Sequence, residues 1–240
     1  MKKFTFMANL YLIPVTLGES EPDHVIPASH KEIIHSISYF IVENIRTARR
    51  FLKKTDKDIV IDQLHFYELN EHTDIGQIHT FLAPIEQGYS VGVMSEAGCP
   101  GVADPGADVV RIAHEKDIRV VPLVGPSSIL LAMMASGMNG QNFAFNGYLP
   151  IKKDEKARYI QFLEKRIYSE NQSQLFIEAP YRNSQLLDDL LTNCQPRTRL
   201  CIACDITLEA EFIKTLPVSE WKKNKPEIHK RPTIFVLGKG

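Results

Sequence analysis

Ser90-Val91-Gly92-Val93-Met94 runs directly into Ser95-Glu96-Ala97-Gly98-Cys99-Pro100-Gly101-Val102-Ala103-Asp104-Pro105-Gly106, and this junction decides the fold. The residues from Tyr89 to Met94 alternate in polarity, which predicts a strand. Val109-Val110-Arg111-Ile112-Ala113-His114, just beyond, carries a helical pattern. Between them lie three glycines, two prolines and two carboxylates, with little that builds a core. Gly and Pro hold backbones in shapes that other residues resist. Such a loop at the C-terminal end of a strand is where open α/β sheets bind small molecules. Asp104-Pro105 reads as a helix start, with Asp as N-cap and Pro at the first helical position. A ligand role for Asp104 is open beside the capping role.

Working outward, strand-like and helix-like runs alternate. Leu10–Val15, Tyr39–Glu43, Ser90–Met94 and Ile118–Leu123 are expected as strands. His30–Ser38, Arg46–Lys54, Ile75–Gln87 and Gly106–Lys116 are expected as helices. This order argues for a largely parallel sheet covered by helices. Two prolines and a glycine within Val121–Ser128 mark a hinge, and Ser127 or Ser128 is placed to cap the apolar helix that follows to Ser136. Strands at Phe143–Phe145, Gln174–Glu178, Arg199–Ala203 and Thr233–Leu237 come next, with helices near Asp154–Tyr168 and at Asn183–Leu191. The expected division is an N-terminal α/β domain over residues 1–126 and a C-terminal α/β domain over 127–240.

Composition narrows the class. With 240 residues, 44% hydrophobic and 24% charged, the chain reads as an ordinary globular protein. No apolar run approaches the roughly 20 residues of a membrane-spanning helix. Lys2 and Lys3 before the apolar stretch from Phe4 to Leu17 imitate a signal peptide. Thr5, Asn9 and Pro14 interrupt that run and no small-residue cleavage pattern follows, so a first strand is the better reading. The four cysteines agree with a reducing cytoplasm. Cys201 and Cys204 have C-x-x-C spacing, but on a strand they point to opposite faces. They are expected in the core, and no metal is expected. The net charge of −1 specifies no partner.

Further blocks carry a family likeness. Beside the Ser95–Gly106 loop stand Tyr11-Leu12-Ile13-Pro14-Val15-Thr16-Leu17-Gly18, Val121-Pro122-Leu123-Val124-Gly125-Pro126-Ser127-Ser128, Phe143-Ala144-Phe145-Asn146-Gly147-Tyr148-Leu149-Pro150 and Leu175-Phe176-Ile177-Glu178-Ala179-Pro180-Tyr181-Arg182. In this order they resemble the motifs of the tetrapyrrole methylase superfamily, in particular its ribosomal RNA small subunit methyltransferase I branch. The resemblance implies two α/β domains of the tetrapyrrole methylase type, with the donor site in the cleft between them. It also implies S-adenosylmethionine as methyl donor, a homodimer, and ribose 2′-O-methylation of small-subunit ribosomal RNA. By the same resemblance Pro14, Ser95, Glu96, Ala97, Gly98, Val102, Ser127, Ser128, Glu178 and Ala203 are expected at the donor.

Glu43-Asn44-Ile45-Arg46 is similar to the RNA branch's E-D-T-R, so Glu43 and Arg46, with Asp104, are the candidate catalytic residues. The alternative for Glu43 and Arg46 is a charged pair at a helix start. Arg46, Arg49, Arg50, Lys53, Lys54 and Lys57 recur at steps of three and four and share one helix face. Such a stripe suits an RNA backbone, and a solvated face is the other reading. Several acceptor-side motifs depart from the family: Gly18-Glu19-Ser20-Glu21-Pro22-Asp23 is acidic, Leu69-Asn70-Glu71-His72 is blurred, and Ala203 to Glu211 lacks the usual Arg and Lys. A small-molecule acceptor, or a binding protein that retains the donor pocket without catalysis, therefore stays open at this stage.

Overall fold

A computed structural model describes residues 8–70 and 73–239. Residues 1–7 of the signal-like N-terminus, and Glu71 and His72 of the blurred motif, lie outside the described residues. The chain divides into two compact units, Met1–Pro126 and Ser127–Gly240.

The first unit contains, in chain order, β1 (Leu10–Leu12), α1 (His30–His35), β2 (Tyr39–Val42), α2 (Ile45–Thr55), β3 (His65–Glu68), α3 (Ile75–Phe81), α4 (Ala83–Glu86), β4 (Val91–Met94), α5 (Ala107–Glu115) and β5 (Val120–Pro122). Its strands pair in parallel in the order β3-β2-β4-β1-β5. Because side chains alternate along a strand, Phe40 and Val42 enter one core while Ile41 enters the other. The first core takes Ile34, Ala48 and Leu52 from α1 and α2, and the second takes Ile78, Phe81, Val109 and Ile112 from α3 and α5. A sheet buried on both faces needs continuous apolar strands, and β4 is buried at all four positions. Parallel pairing gathers the loops that follow β1, β2, β4 and β5 at one end of the sheet.

The second unit contains α6 (Ser128–Ser136), β6 (Phe143–Tyr148), α7 (Lys153–Glu170), β7 (Ser173–Ile177), α8 (Asn183–Asn193), β8 (Arg199–Cys204), β9 (Phe212–Pro217), α9 (Val218–Trp221) and β10 (Thr233–Gly238). Its mixed sheet runs β6-β7-β10-β8-β9, with β6 and β7 parallel and the remaining pairs antiparallel. Ile160, Leu163 and Ile167 of α7 pack with Leu186, Leu187 and Leu190 of α8 over Phe176, Ile202 and Phe235 of the sheet. Cys194, Cys201 and Cys204 are buried core residues, and burial pushes all three thiols up from their ordinary range.

Three expectations are corrected. The helix expected over Ile75–Gln87 is two, because Pro84 lacks an N–H and disfavours helical backbone before it. The helix expected from Gly106 starts at Ala107, and Gly106 rather than Asp104 holds the capping position. Pro105 is turned back so that its carbonyl accepts the Gly101 N–H. Finally, β3 and β9 were not expected as strands. Both are sheet edges, where a half-exposed strand lacks a strong apolar pattern.

Asp56 fastens α1 to the end of α2. Its carboxylate accepts from the Asp58 N–H at 3.0 Å, and meets His35 Nδ1 at 2.7 Å and Lys31 Nζ at 3.4 Å. These partners, the Asp58 N–H first, hold its carboxyl down to about 2. A depressed folded pKa gives stability that is fully present above the unfolded value of 3.8 and lost as pH falls toward 2. Asp56→Asn is expected to lower the urea midpoint relative to the parent at pH 6. The gap between the two should close as acid denaturation curves approach pH 2. A gap that persists there would remove the ionised carboxylate as the cause.

Candidate functional site

The loops after β1, β4 and β5 are tied to one another. The Val15 N–H donates to the Gly98 carbonyl at 2.9 Å, and the Cys99 thiol donates to the Pro126 carbonyl at 3.3 Å. Two glycines make these approaches possible. Gly98 has φ +76°, a left-handed conformation that L side chains resist. At Gly125 a Cβ would stand 2.2 Å from Pro14 Cβ and Cγ, so a side chain there requires the backbone to move. Pro14 is buried, as is Gly98, and Ser95 is 8% exposed. Ala97 and Val102 are exposed on the same loop.

Three carboxylates converge here. The Glu96 N–H donates to Glu43 Oε2 at 3.4 Å, and Glu96 Oε1 accepts from the Thr47 hydroxyl at 3.0 Å. Burial raises the Glu43 carboxyl above the usual carboxylate range, and the charges of Asp104 and Glu96 push the same way. Burial also raises Asp104, with Glu96 contributing, while a hydrogen bond from Ser95 opposes the shift. Both shifts reflect the cost of crowding negative charge in partly dry surroundings. A cation placed among these groups would relieve it. Among the described residues no group of three or more His, Cys, Asp and Glu is arranged to hold a metal.

Asn44, which the sequence reading passed over, sets the first turn of α2. Its Oδ1 accepts from the Arg46 and Thr47 N–H groups at 2.9 and 3.3 Å. An Asn immediately before a helical pattern was the available signal. Glu43 thus stands just before the cap and Arg46 in the first turn, with the Thr47 hydroxyl bonded to Glu96. Arg46 is exposed and has no ion-pair partner among the described residues.

The basic stripe is exposed but less free than its spacing implied. Arg50 pairs with Glu19 at 3.6 Å and Lys54 with Glu21 at 3.2 Å. Lys53 donates to the carbonyls of Lys57 and Ile59, and Arg49 lies over the Phe66 ring at 5.4 Å. Lys57 falls beyond the helix, which ends at Thr55. The acidic segment after Gly18 thus neutralises part of α2. A cavity of about 180 Å³ opens between them, lined by Thr16, Glu19, Thr47, Arg50, Lys54 and Glu96 among others.

The remaining expected residues belong to the second unit. Ser127 holds the N-cap position of α6 and Ser128 its first turn, yet neither hydroxyl caps it. Glu178 is committed internally: its Oε1 accepts from Arg182 Nε and Nη2 at 2.9 and 2.6 Å and from the Ala179 N–H at 2.8 Å. Ala203 is fully buried in β8, in register with Ile234 and Ile213.

The fold is that of the tetrapyrrole methyltransferases. The crystal structure of the methyltransferase CobJ matches with a TM-score of 0.64 at 15% identity, over 97% of this chain and 95% of that one. Cobalt precorrin-4 methyltransferase CbiF matches at 0.59 and 13%, over 98% and 96%. No protein-family model matches the chain. Among curated proteins, ribosomal RNA small subunit methyltransferase I of Streptococcus pyogenes serotype M6 is 31% identical over 211 residues, covering 88% of this chain and 69% of the relative. The Escherichia coli O157:H7 protein of the same name is 26% identical over 231 residues, covering 95% and 77%. The chain belongs to the ribosomal RNA small subunit methyltransferase I family, and it is a methyltransferase.

Gly98→Val tests the loop. A branched residue at φ +76° also meets Leu17 Cδ2 and the Pro126 carbonyl, 3.2 and 3.4 Å from the Cβ position. The variant is expected to lose about 1–3 kcal/mol in denaturant unfolding, and to bind S-adenosylmethionine at least tenfold more weakly by calorimetry. Normal binding would reduce Gly98 to a turn residue.

Proposed function

We propose that this methyltransferase transfers the methyl group of S-adenosylmethionine to a ribose 2′-hydroxyl of small-subunit ribosomal RNA. The observation that carries the reading is the convergence of Glu43, Glu96 and Asp104 on the loop that follows β4. A sulfonium donor supplies an electrophilic methyl group, and carboxylates suit its positive charge. The residues present fit such a group: exposed Ala97 and Val102 offer an open loop face, Gly98 and Gly125 permit the close loop packing, and the raised carboxyls of Glu43 and Asp104 have no ion-pair partner among the described residues. Ser95, Glu96, Ala97, Gly98 and Val102 are the proposed donor contacts in the first unit, with Pro14 supporting the loop from beneath.

Methyl transfer to oxygen forms an O–C bond, breaks a C–S bond and releases the hydroxyl proton. Glu43 is the proposed acceptor of that proton. Its raised pKa makes its carboxylate a stronger base than an ordinary one. Asp104 and Glu96 sustain that elevation through their charge. Asn44 fixes the turn that presents Glu43, and Arg46 is proposed to hold a phosphate near the acceptor. The names of the curated relatives support RNA as substrate. A homodimer and action in the cytoplasm belong to the same reading, and among the described residues no helix is long and apolar enough to cross a membrane.

The direct test incubates the protein with methyl-labelled donor and small ribosomal subunits that lack the modification. Label in a ribose of the ribosomal RNA is expected. Label in no RNA, with transfer to a small molecule instead, would overturn the substrate. In the same assay Glu43→Gln is expected to lower kcat by about 10²- to 10⁴-fold. The parent's acid limb in kcat/KM for RNA should lie above the ordinary carboxylate range. That limb should move to lower pH when donor concentration is raised to saturation, because an adjacent cation favours the charged carboxylate. A limb indifferent to donor would argue against the cluster as the donor's neighbour.

Arg46→Glu combined with Arg49→Glu spares the stripe cations committed to Glu19, Glu21 and backbone carbonyls. The double variant is expected to keep donor affinity and to weaken RNA binding. Its salt dependence should flatten by about 0.7 to 0.9 in log–log slope for each phosphate that the variant no longer neutralises. An unchanged slope would assign the stripe to solvent.

A further inference from the structure

The second unit displays an aromatic and cationic surface formed by Tyr148, Tyr181 and Arg182, to which no donor or acceptor role was assigned above. Tyr148 ends β6 and is 62% exposed, and Tyr181, just after β7, is 61% exposed. The two strands are parallel neighbours and Tyr148 stands in register with Ile177, so both rings lie at the same end of the sheet. Arg182 lies beside Tyr181, its guanidinium 5.3 Å from the ring centroid. Both phenols lie within electrostatic reach of that guanidinium.

The arrangement is rigid where it needs to be. The Glu178 side chain is 1% exposed and grips Arg182 through two hydrogen bonds to one oxygen. That grip fixes the plane of the guanidinium against the ring. Lys230 reaches the same turn, its N–H donating to the Pro180 carbonyl at 2.9 Å while its side chain is exposed. The only aliphatic group of comparable exposure beside them in sequence is Ile151, at 74%. Aromatic faces beside cations suit stacked bases and the phosphates that link them; Tyr and Arg also mark protein contacts, an outcome that the oligomeric mass in the test below separates.

We propose that Tyr148 and Tyr181, braced by Arg182, form a platform on which unpaired bases of the RNA substrate stack. Arg182 and Lys230 neutralise the adjoining phosphates. The platform rests on the RNA reading of the function and adds to it a substrate class: RNA presented as an unpaired strand, with splayed bases, rather than as a duplex. It also gives the second unit a recognition task of its own. Stacking tolerates any base, so the platform contributes affinity and a preference for single strands without reading sequence.

The test uses the full chain and a short single-stranded RNA that carries 2-aminopurine, with a duplex of the same length as comparison. The parent is expected to bind the single strand more tightly than the duplex and to quench the probe. Tyr148→Ala and Tyr181→Ala should each weaken single-strand binding about tenfold, within the range that base–aromatic stacking supplies, and reduce the quench. Their salt slopes should match the parent's, since no cation is removed. Tyr148→Phe and Tyr181→Phe should bind within about twofold of the parent, because stacking needs the ring and not the hydroxyl. Donor affinity and oligomeric mass should be unchanged throughout. Alanine variants that bind RNA as the parent does would overturn the platform and leave the RNA reading standing. Donor affinity or oligomeric mass that falls in step with RNA binding would assign the rings to the donor pocket or to a subunit contact and overturn it too. A parent chain that binds neither RNA would remove the RNA reading and the platform together.

Discussion

One backbone hydrogen bond, from the Val15 N–H to the Gly98 carbonyl, holds the functional end of the first unit together. It joins the loop after β1 to the loop after β4, two strands that pair side by side in a parallel sheet. Loops that leave adjacent parallel strands diverge unless something bridges them. The bridge is possible because Gly98 accepts a left-handed conformation and because Gly125 leaves room for Pro14 beneath it. A parallel sheet supplies the convergence, and two missing side chains supply the closeness. The carboxylate cluster depends on both.

That cluster works against the stability of the unit that carries it. Glu43 and Asp104 are held partly out of water and near Glu96, and each is harder to ionise for it. Hydrogen bonds from the Glu96 N–H and from Ser95 recover part of that cost. Local frustration of this kind is expected at sites built for a ligand that the protein alone does not supply. A structural ion pair has the opposite signature. Asp56, which meets an N–H, a His and a Lys, is stabilised in its charged form, and nothing about it asks for a further partner.

Charge on this protein is also managed at the surface. The acidic segment that departs from the family pattern lies against the basic face of α2, where Glu19 and Glu21 meet Arg50 and Lys54. Exposed pairs of this kind are individually weak, so they are readily exchanged for other anions. Their effect is to leave Arg46 as the uncommitted cation nearest Glu43 in sequence. In the second unit the exposed Tyr181 lies against Arg182, which Glu178 braces.

The sequence by itself determined the family, the order of strands and helices, and the loop that carries the carboxylates. These are local properties: an apolar strand, a Gly- and Pro-rich connection and a periodic helix each leave their mark within a dozen residues. The edge strands β3 and β9 left a weaker mark, because half their surface faces solvent. Only the tertiary structure decided which charges are free. The Glu178 carboxylate, expected at the donor, is gripped by Arg182. The Arg50 and Lys54 side chains, expected to face solvent or RNA, meet acids some thirty residues earlier in the chain. Asp104, expected to cap a helix as readily as to serve a ligand, stands against Ser95 and the field of Glu96 instead. The physical reason is range. Helix and strand patterns arise from neighbours along the chain, whereas a charge is paired or left bare by whichever group the fold brings within a few ångströms of it.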